Sequence, residues 1–455
     1  MRRTAVLNIV GLTASLIDDR TPNIRAYVDR CSISKVKPAF PAVTCTAQSN
    51  FVTGKTPASH GAVANGWYNR EYSEVQFWKQ SNPIVKGLKI WDELKGIDPN
   101  FTCAKMFWWY NMYSTVDYSI TPRPIYPADG RKFFDVYTYP MGMRTEIKQD
   151  LGAFPFHTFW GPRAGIESSR WIAESAKWVE RKHEPTLNLV YLPHLDYNLQ
   201  RLGPSNPAIG DDLKLIDELV GDLITFFEER SIQVVLLSEY GISDVDRPIH
   251  LNRIFREKGW ITIKDELGLE QLDCGASQAF AVADHQVAHV YVNDKAIQDE
   301  VRAVLESIEG VDSVLDEDGK REAGNDHERA GDFVAVSDSR SWFTYYYWLD
   351  DAVAPDFARC VDIHRKIGYD PVELFIDPKL KMPKLKIAAF LFKKKLGIRG
   401  LLNVIPLDAW LVKGSHGRIP EDMSEWPVFV SPVGAESVKE STDIYGAIRD
   451  AVAGQ

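Results

Sequence analysis

The chain is short of cysteine, and its cysteines show no paired spacing. Five cysteines are spread over 455 residues, and none of them belongs to a CxxC pattern. This spacing excludes a disulfide framework and a zinc knuckle. Unpaired thiols are typical of a reducing compartment, so the cysteine pattern predicts a cytoplasmic protein.

The chain also lacks an excess of basic charge and long apolar runs. The formal net charge of -10 argues against a nucleic-acid partner, because such proteins need a basic face. No apolar run reaches the roughly 20 residues of a membrane span, so no transmembrane segment is expected. Residues 4–12, TAVLNIVGL, follow two arginines, but no clear cleavage site is present and two aspartates come soon after. We therefore interpret this stretch as a buried first strand and not as a signal peptide.

The chain does contain a regular alternation of short apolar runs and helical patterns. The apolar runs lie at residues 5–10, 103–109, 187–192 and 232–237. Amphipathic stretches separate several of them, which is typical of βαβ units. The sequence therefore predicts an α/β fold with a mostly parallel central sheet flanked by helices.

The pattern changes after residue 237. Several short strand-like runs and one helical stretch follow before residue 340, which indicates a small α+β unit of its own. We predict a core domain formed by residues 1–249 and 341–455, with an inserted α+β cap at residues 250–340.

Polar side chains follow the apolar runs at the positions where sites form in parallel sheets. Asp196 and Gln200 come after one run, Glu239 after the next, and His416 after a later one, while Thr44 stands where a helix begins. The carboxyl ends of parallel strands meet at one sheet edge. Carboxylates, a carboxamide, an imidazole and a hydroxyl are the donors of a divalent-metal site. For each residue alone, a helix cap or a turn is the other interpretation.

Residues 41–65 carry the longest motif of the sequence, PAVTCTAQSNFVTGKTPASHGAVAN. This stretch resembles the motif P-x-x-T-x-P-N-H-x-x-x-x-T-G-x-x-P-x-x-H-G-I-x-x-N of the type I phosphodiesterase/nucleotide pyrophosphatase family, in the alkaline phosphatase superfamily. LDYNLQRLGP, SEYG and GSHG follow in the family's order and resemble its P-D-x-x-G-H-x-x-G-P, S-D-H-G and G-T-H-G.

The resemblance implies an alkaline-phosphatase-like fold and a phosphoryl-transfer site. It makes Thr44 the nucleophile of a phosphothreonine intermediate and Asn65 a donor to a phosphoryl oxygen. Asp196 and His416 are then ligands of one of two zinc ions about 4 Å apart. A threonine hydroxyl needs activation near neutral pH, and a helix N-terminus provides free N–H groups for an anion.

Four positions depart from the family's ligand set: Val10, Gln200, Glu239 and Tyr240. Gln200 and Glu239 can still supply oxygen ligands, and the loss of nitrogen ligands favours Mg²⁺, Mn²⁺ or Ca²⁺ over zinc. One metal site or two are both consistent with the sequence. A site with no metal is also consistent, with Tyr240 or Arg201 stabilising the phosphoryl group.

Further candidates for substrate contact lie outside these motifs. They are the aromatic pair after the long motif and three later residues: Trp67, Tyr68, His285, His364 and Lys366. We expect the aromatic pair at the pocket rim, stacking on a base or an apolar tail. For the other three, the alternative is a structural role in a strand or a loop.

The expected ligand is a phosphorylated small molecule, either a nucleotide or a lipid or isoprenoid phosphate. Residues 380–399 are apolar in the middle with lysines on both sides, which predicts either a peripheral membrane contact or a basic surface over a core helix. We expect a phosphoric ester or pyrophosphate hydrolase with a threonine nucleophile and an atypical divalent-metal site. The alternative is a catalytically impaired pseudoenzyme of the same fold that binds a phosphorylated ligand or a partner.

Overall fold

The computed structural model describes residues 1–454. Within them the α-helices are α1 (Pro22–Val28), α2 (Thr44–Thr53), α3 (Pro57–His60), α4 (Ile90–Ile97), α5 (Met143–Leu151), α6 (Ile166–His183), α7 (His194–Leu202), α8 (Ile209–Glu228), α9 (Leu251–Glu257), α10 (Gln298–Ser307), α11 (Glu317–Glu322), α12 (Pro383–Lys395) and α13 (Asp443–Ala453).

The strands begin in the first ten residues and continue almost to the last helix. They are β1 (Thr4–Ile9), β2 (Ser32–Lys35), β3 (Gly66–Asn69), β4 (Glu74–Phe77), β5 (Cys103–Met106), β6 (Tyr118–Pro122), β7 (Val136–Tyr139), β8 (Leu187–Leu192), β9 (Gln233–Leu237), β10 (Ser243–Asp244), β11 (Arg247–Ile249), β12 (Thr262–Glu266), β13 (Leu269–Asp273), β14 (Ala279–Asp284), β15 (Val287–Val292), β16 (Val311–Leu315), β17 (Phe333–Ser337), β18 (Ser341–Phe343), β19 (Gly414–Ser415) and β20 (Val428–Ser431).

An eight-stranded sheet with the order β2-β20-β9-β1-β8-β5-β6-β7 forms the centre of the molecule. Strands β9, β1, β8, β5 and β6 run parallel, and β2, β20 and β7 join the two edges antiparallel. The mostly parallel sheet predicted from the apolar runs is thereby confirmed.

Strand β1 lies in the middle of this sheet, which explains its continuous apolar sequence. It pairs with β8 on one side and β9 on the other, from Thr4↔Leu187 and Thr4↔Gln233 onward. Every residue of β1 is buried, as expected for a parallel strand covered by helices on both faces. The carboxyl ends of β1, β8 and β9 therefore meet side by side, and the candidate site lies there.

A second sheet of four antiparallel strands, β14-β15-β17-β16, lies within residues 279–337. This sheet, helix α10 and the β12–β13 hairpin occupy the range in which the α+β cap is predicted. The second apolar core also contains residues from outside that range, at 345–348 and 404–412. The cap boundary at residues 250–340 stays a prediction.

No helix in residues 1–454 combines the length and the apolar character needed to cross a membrane. Helix α12 is the exception to the generally buried helices, since none of its residues is buried.

Candidate active site

Thr44 is the first residue of α2, at the point where the chain turns from an extended segment into a helix. Val43 before it has φ -134° and ψ 156°, and Gly54 ends the helix in the left-handed region with φ 64°. The Thr44 side chain is almost fully buried. Its hydroxyl thus lies at the positive end of the helix, where backbone N–H groups of the first turn have no acceptor within the helix.

A chain of hydrogen bonds joins Thr44 to a carboxylate. Thr44 Oγ1 lies 3.1 Å from the hydroxyl of Tyr240, and this hydroxyl donates to Asp196 Oδ1 at 3.2 Å. Because the tyrosine proton points to the carboxylate, the threonine hydroxyl is the donor in the first bond. The nucleophile candidate is therefore connected to a base through one intervening hydroxyl.

Asp196 is held at the start of α7, just past the end of β8. Gln200, one helical turn later, donates its amide to Asp196 Oδ2 at 2.7 Å and accepts the Tyr369 hydroxyl at 3.0 Å. Burial raises the pKa of Asp196 to about 7, against the lowering effect of the bonds from Tyr240 and Gln200. This carboxyl therefore changes its protonation state near neutral pH.

Glu239 follows β9 and has a different set of partners. Its Oε1 accepts amide protons from Asn8 in β1 at 2.6 Å and from Gln48 in α2 at 2.5 Å. Burial again raises the pKa to about 7, against the lowering effect of the bonds from Gln48, Asn8 and Thr44. Two neutral amides thus hold the carboxyl that the sequence offers as a metal ligand.

His416 stands beside Asp196 with its imidazole in a defined tautomer. Its Nδ1 donates to the carbonyl of Ala42 at 2.7 Å, and its Nε2 lies 3.9 Å from Asp196 Oδ1. The ring stacks on Tyr240 with centroids 3.6 Å apart. Burial lowers the pKa of His416 to about 3, so the ring is neutral and Nε2 carries a lone pair.

Two glycines of the GSHG motif make this placement possible. A Cβ on Gly414 would lie 2.0 Å from the Leu199 carbonyl, so only glycine lets β19 approach α7. Gly417 has φ 122°, and its carbonyl accepts the Ala42 N–H at 2.8 Å. The motif therefore fixes the histidine against the segment that leads into α2.

His285 lies in the turn between β14 and β15, where its φ of 62° is unusual for a residue with a side chain. Its ring lies 3.7 Å from the ring of Tyr369 and 3.6 Å from that of His416. Burial lowers its pKa well below the ordinary value, with a further contribution from His416. The second sheet thus contributes a neutral imidazole to the cluster.

Asn65 is held in place by helix α2 and by the second sheet. Its Oδ1 accepts the Cys45 N–H at 3.0 Å, while its backbone and side-chain nitrogens donate to Asp284 at 2.8 and 3.1 Å. Burial raises the pKa of Asp284 to about 7. One of the two side-chain N–H groups of Asn65 is therefore engaged by Asp284.

The other predicted contacts lie away from this cluster. Trp67 packs beneath Arg329, and Tyr68 packs edge to face on Phe280 in the second core, so neither forms a pocket rim. His364 bonds to the backbone of Phe77 at 3.3 Å. The buried ammonium of Lys366 pairs with two carboxylates, at 2.7 Å from both Asp370 and Glu373. In this arrangement it has no free charge for a phosphate.

Four residues that sequence reasoning missed belong to the cluster: Asn8, Gln48, Asp284 and Tyr369. Asn8 is the one amide inside the apolar run of β1, and Gln48 lies one helical turn after Thr44. Both positions could have been predicted from the sequence. An amide in a buried strand needs a polar partner, and a residue one helical turn after Thr44 lies on the same side of α2. Asp284 directly precedes His285, and Tyr369 had no distinguishing signal.

The residues present do not fit the two-zinc centre that the resemblance implies. Within residues 1–454 no group of three or more His, Cys, Asp or Glu side chains is arranged to hold a metal ion. Gln200 and Tyr240 occupy two of the family's histidine positions, and both donate to Asp196. Within the cluster around Thr44, Asp196 with His416 is a pair that would suit a single ion, because Nε2 of His416 has no hydrogen-bond partner among the described residues.

The class of fold follows from the sheet and the site together. The central sheet is mostly parallel, and a hydroxyl, two carboxyls and an imidazole lie at the carboxyl ends of its strands. This is the alkaline-phosphatase-like α/β fold, and the solved structures that match this chain share it. The chain belongs to the type I phosphodiesterase/nucleotide pyrophosphatase family, whose model matches residues 4–370.

One curated relative is an uncharacterised pyrophosphatase/phosphodiesterase of Schizosaccharomyces pombe, 24% identical over 265 residues. The match covers 55% of this chain and 47% of the relative, so the chain spans about half the length of that protein.

Two kinds of solved structure resemble the whole chain. Murine ectonucleotide pyrophosphatase/phosphodiesterase 5, an inactive variant in complex with AMP, matches with a TM-score of 0.59 at 14% identity, covering 100% of this chain and 95% of that one. Phosphonoacetate hydrolase of Sinorhizobium meliloti, in complex with phosphonoformate, matches with a TM-score of 0.59 at 12% identity, covering 99% and 96%. At these identities the likeness establishes the fold.

Proposed function

We propose that this protein hydrolyses a phosphodiester or pyrophosphate bond of a small phosphorylated molecule, with Thr44 as the nucleophile. The observation that carries the proposal is the hydrogen-bond chain from Thr44 Oγ1 through the Tyr240 hydroxyl to Asp196 Oδ1. It supplies the base that a threonine hydroxyl needs near neutral pH.

The first chemical step forms one bond and breaks another at phosphorus. Thr44 Oγ1 attacks, the bond from phosphorus to the leaving oxygen breaks, and the electron pair leaves with that oxygen. The Thr44 proton passes to the Tyr240 oxygen while the Tyr240 proton passes to ionised Asp196. Water then attacks the phosphothreonine, the bond to Thr44 Oγ1 breaks, and the Thr44 hydroxyl recovers its proton from Asp196 through Tyr240. The attacking water keeps one proton on the phosphoryl group and releases the other to solvent, which replaces the proton that the leaving oxygen takes up from solvent.

The first turn of α2 is the proposed site for the phosphoryl oxygens. Free backbone N–H groups and the helix dipole favour negative charge there. Asn65 is oriented by Cys45 and Asp284, and its second N–H is the proposed donor to a phosphoryl oxygen. The steps above use only side chains of this protein, since the donor set does not fit the two-metal centre; a single ion would be held by Asp196 and His416 and would polarise a phosphoryl oxygen.

The substrate we propose is a nucleotide or a lipid or isoprenoid phosphate. Aromatic rings cluster next to His285, with Trp78 5.9 Å and Trp160 5.5 Å from Tyr369, and Trp109 4.8 Å from Trp78. Such rings can stack on a base or pack against an apolar tail. Two structural relatives are described as bound to AMP and to phosphonoformate, which supports a phosphorylated or phosphonylated ligand of small size.

The test is a panel of nitrophenyl phosphodiesters, dinucleotide pyrophosphates and prenyl pyrophosphates, assayed with and without chelator, together with metal analysis. We expect turnover of at least one substrate, its loss in Thr44→Ala and its partial retention in Thr44→Ser. Thr46→Ala is the matched control, since its hydroxyl lies two residues along α2 and donates to the Ala62 carbonyl.

Equal activity in Thr44→Ala and wild type would overturn the proposal. Binding of a phosphorylated ligand with no turnover on the whole panel would favour the pseudoenzyme. One tightly bound ion that is lost in His416→Ala would replace the metal-free mechanism with a single-metal site at Asp196 and His416.

A further inference from the structure

Helix α12 has no buried residue and exposes several large apolar side chains to solvent. Leu385 and Phe392 are 61% and 64% exposed, and the exposed apolar residues continue beyond the helix to Leu401. Large exposed side chains that lie close together mark an interaction surface.

The two sides of α12 have different roles. Ile387 and Phe390, three residues apart, are partly buried, and Ile387 packs against the second core. Leu385, Ala388 and Phe392 are exposed, and their spacing places them on the opposite side. The helix is thus attached to the body by one stripe and presents a second apolar stripe outward.

Lysines border the outward stripe on both sides. At 3.6 residues per turn, Lys384 and Lys395 lie along one border, and Lys386 and Lys393 lie along the other. Long lysine side chains next to an apolar stripe can reach a polar interface while the stripe is inserted below it.

The charge of this segment is opposite to that of the whole chain. Residues 378–407 contain eight basic residues and no acidic one, whereas the full chain carries a net charge of -10. Positive charge concentrated around an apolar stripe is complementary to an anionic lipid surface.

A second exposed segment extends the same surface. Residues 125–134 expose Tyr126 and Phe134, and Phe134 has Lys132 and Lys394 each 5.7 Å from its ring. The acidic residue of this loop, Asp129, is paired with its neighbour Arg131 at 2.6 Å. The basic and apolar character therefore belongs to two separate parts of the chain that meet.

We propose that α12 and residues 125–134 form a docking surface for an anionic lipid membrane. The outward stripe of α12 enters the headgroup–acyl boundary, and the bordering lysines contact lipid phosphates. Among anionic partners a membrane fits best, because nucleic acid and acidic proteins offer no apolar layer into which the stripe could insert. The proposal is independent of the chemistry proposed for Thr44.

The test is cosedimentation of the full-length protein with phosphatidylglycerol/phosphatidylcholine vesicles and with pure phosphatidylcholine vesicles, at low and at physiological salt. We expect binding to the anionic vesicles that weakens with salt. The double variant Leu385→Glu/Phe392→Glu should abolish it. The triple variant Lys384→Glu/Lys393→Glu/Lys395→Glu should weaken it by at least about tenfold.

Leu267→Glu is the matched control, because Leu267 is a fully exposed leucine at the tip of the β12–β13 hairpin. It should bind like wild type, and circular dichroism establishes that each variant is folded. Absence of binding to anionic vesicles at low salt overturns the proposal. So does equal binding to neutral vesicles, wild-type binding by the Leu385/Phe392 variant, or salt-sensitive binding to RNA in place of vesicles.

Discussion

Asp196 and Glu239 are two buried carboxyls that follow β8 and β9, the strands on either side of β1, and their surroundings differ. Burial raises the pKa of both to about 7. Asp196 accepts the Tyr240 hydroxyl, which leads on to Thr44. Glu239 Oε1 accepts two carboxamides, from Asn8 and Gln48, that have no route for a proton, and the Thr44 hydroxyl makes a smaller contribution that lowers the pKa of Glu239.

The hydrogen-bond partner of a buried carboxyl, and not its pKa alone, decides its role at this site. A hydroxyl can pass a proton on, whereas a carboxamide donates a hydrogen bond and keeps its protons. Asp196 is therefore the proposed base, and Glu239 joins β1, β9 and α2 into one support for Thr44.

The largest expected effect is that of Asp196→Asn. Without a carboxylate the Thr44 proton has no acceptor, so kcat/KM should fall by about 10²–10⁴-fold. Glu239→Gln is the matched control, since it removes an equally buried carboxyl, and it should stay near the wild-type rate. Steady-state kinetics on the best substrate measure both, and an equal loss in the two variants would remove the distinction.

Tyr240→Phe removes only the hydroxyl that connects Thr44 to Asp196. The phenyl ring can still stack on His416, so the site should keep its shape while the rate falls by about 10²-fold. A larger effect on kcat than on KM is expected, since the hydroxyl acts on proton transfer and not on substrate binding. An unchanged rate would show that Thr44 loses its proton by another route.

The pH dependence tests which carboxyl is the base. Asp196 must be ionised to accept a proton, so the rate should rise with pH through about 7 and level off above it. The same rise should remain in Glu239→Gln and disappear in Asp196→Asn. A rise that disappears in Glu239→Gln instead would assign the base to Glu239.

The smallest effect expected on activity, that of Glu239→Gln, is accompanied by an effect on stability. The pKa of Glu239 is about 7 in the folded protein against a reference value of 4.5, so the folded state binds the proton more tightly. Its stabilising contribution is complete below pH 4.5 and is lost as the pH rises through 7, by about 3 kcal/mol in all. Denaturant unfolding measures the free energy of unfolding at pH 5 and at pH 8. Its decrease from pH 5 to pH 8 should be smaller in Glu239→Gln than in wild type, and an equal decrease would contradict the raised pKa of Glu239.

Much of the architecture was predictable because it depends on apolar runs and on their spacing. The runs at residues 5–10, 187–192 and 232–237 became β1, β8 and β9, and the polar residues after them meet at one edge. The motif at residues 41–65 predicted where α2 begins. These features are local in sequence, which is why patterns reveal them.

The partners of the site residues were not predictable from the same patterns. Asp284 is 219 positions from Asn65, and Tyr369 is 169 positions from Gln200, so only the folded chain brings them together. Lys366 was a candidate for phosphate contact because of its charge, but the buried carboxylates of Asp370 and Glu373 pair with that charge. Trp67 was expected at a rim because it follows the motif, yet it packs in a core.

The central claim is that Asp196 activates Thr44 for attack on phosphorus. Rapid acid quenching of the reaction, followed by peptide mass spectrometry, measures it directly. The account predicts a covalent phosphoryl adduct on Thr44 that forms at least about 10²-fold more slowly in Asp196→Asn. Turnover without an adduct on Thr44, or an adduct that forms at the wild-type rate in Asp196→Asn, would contradict it.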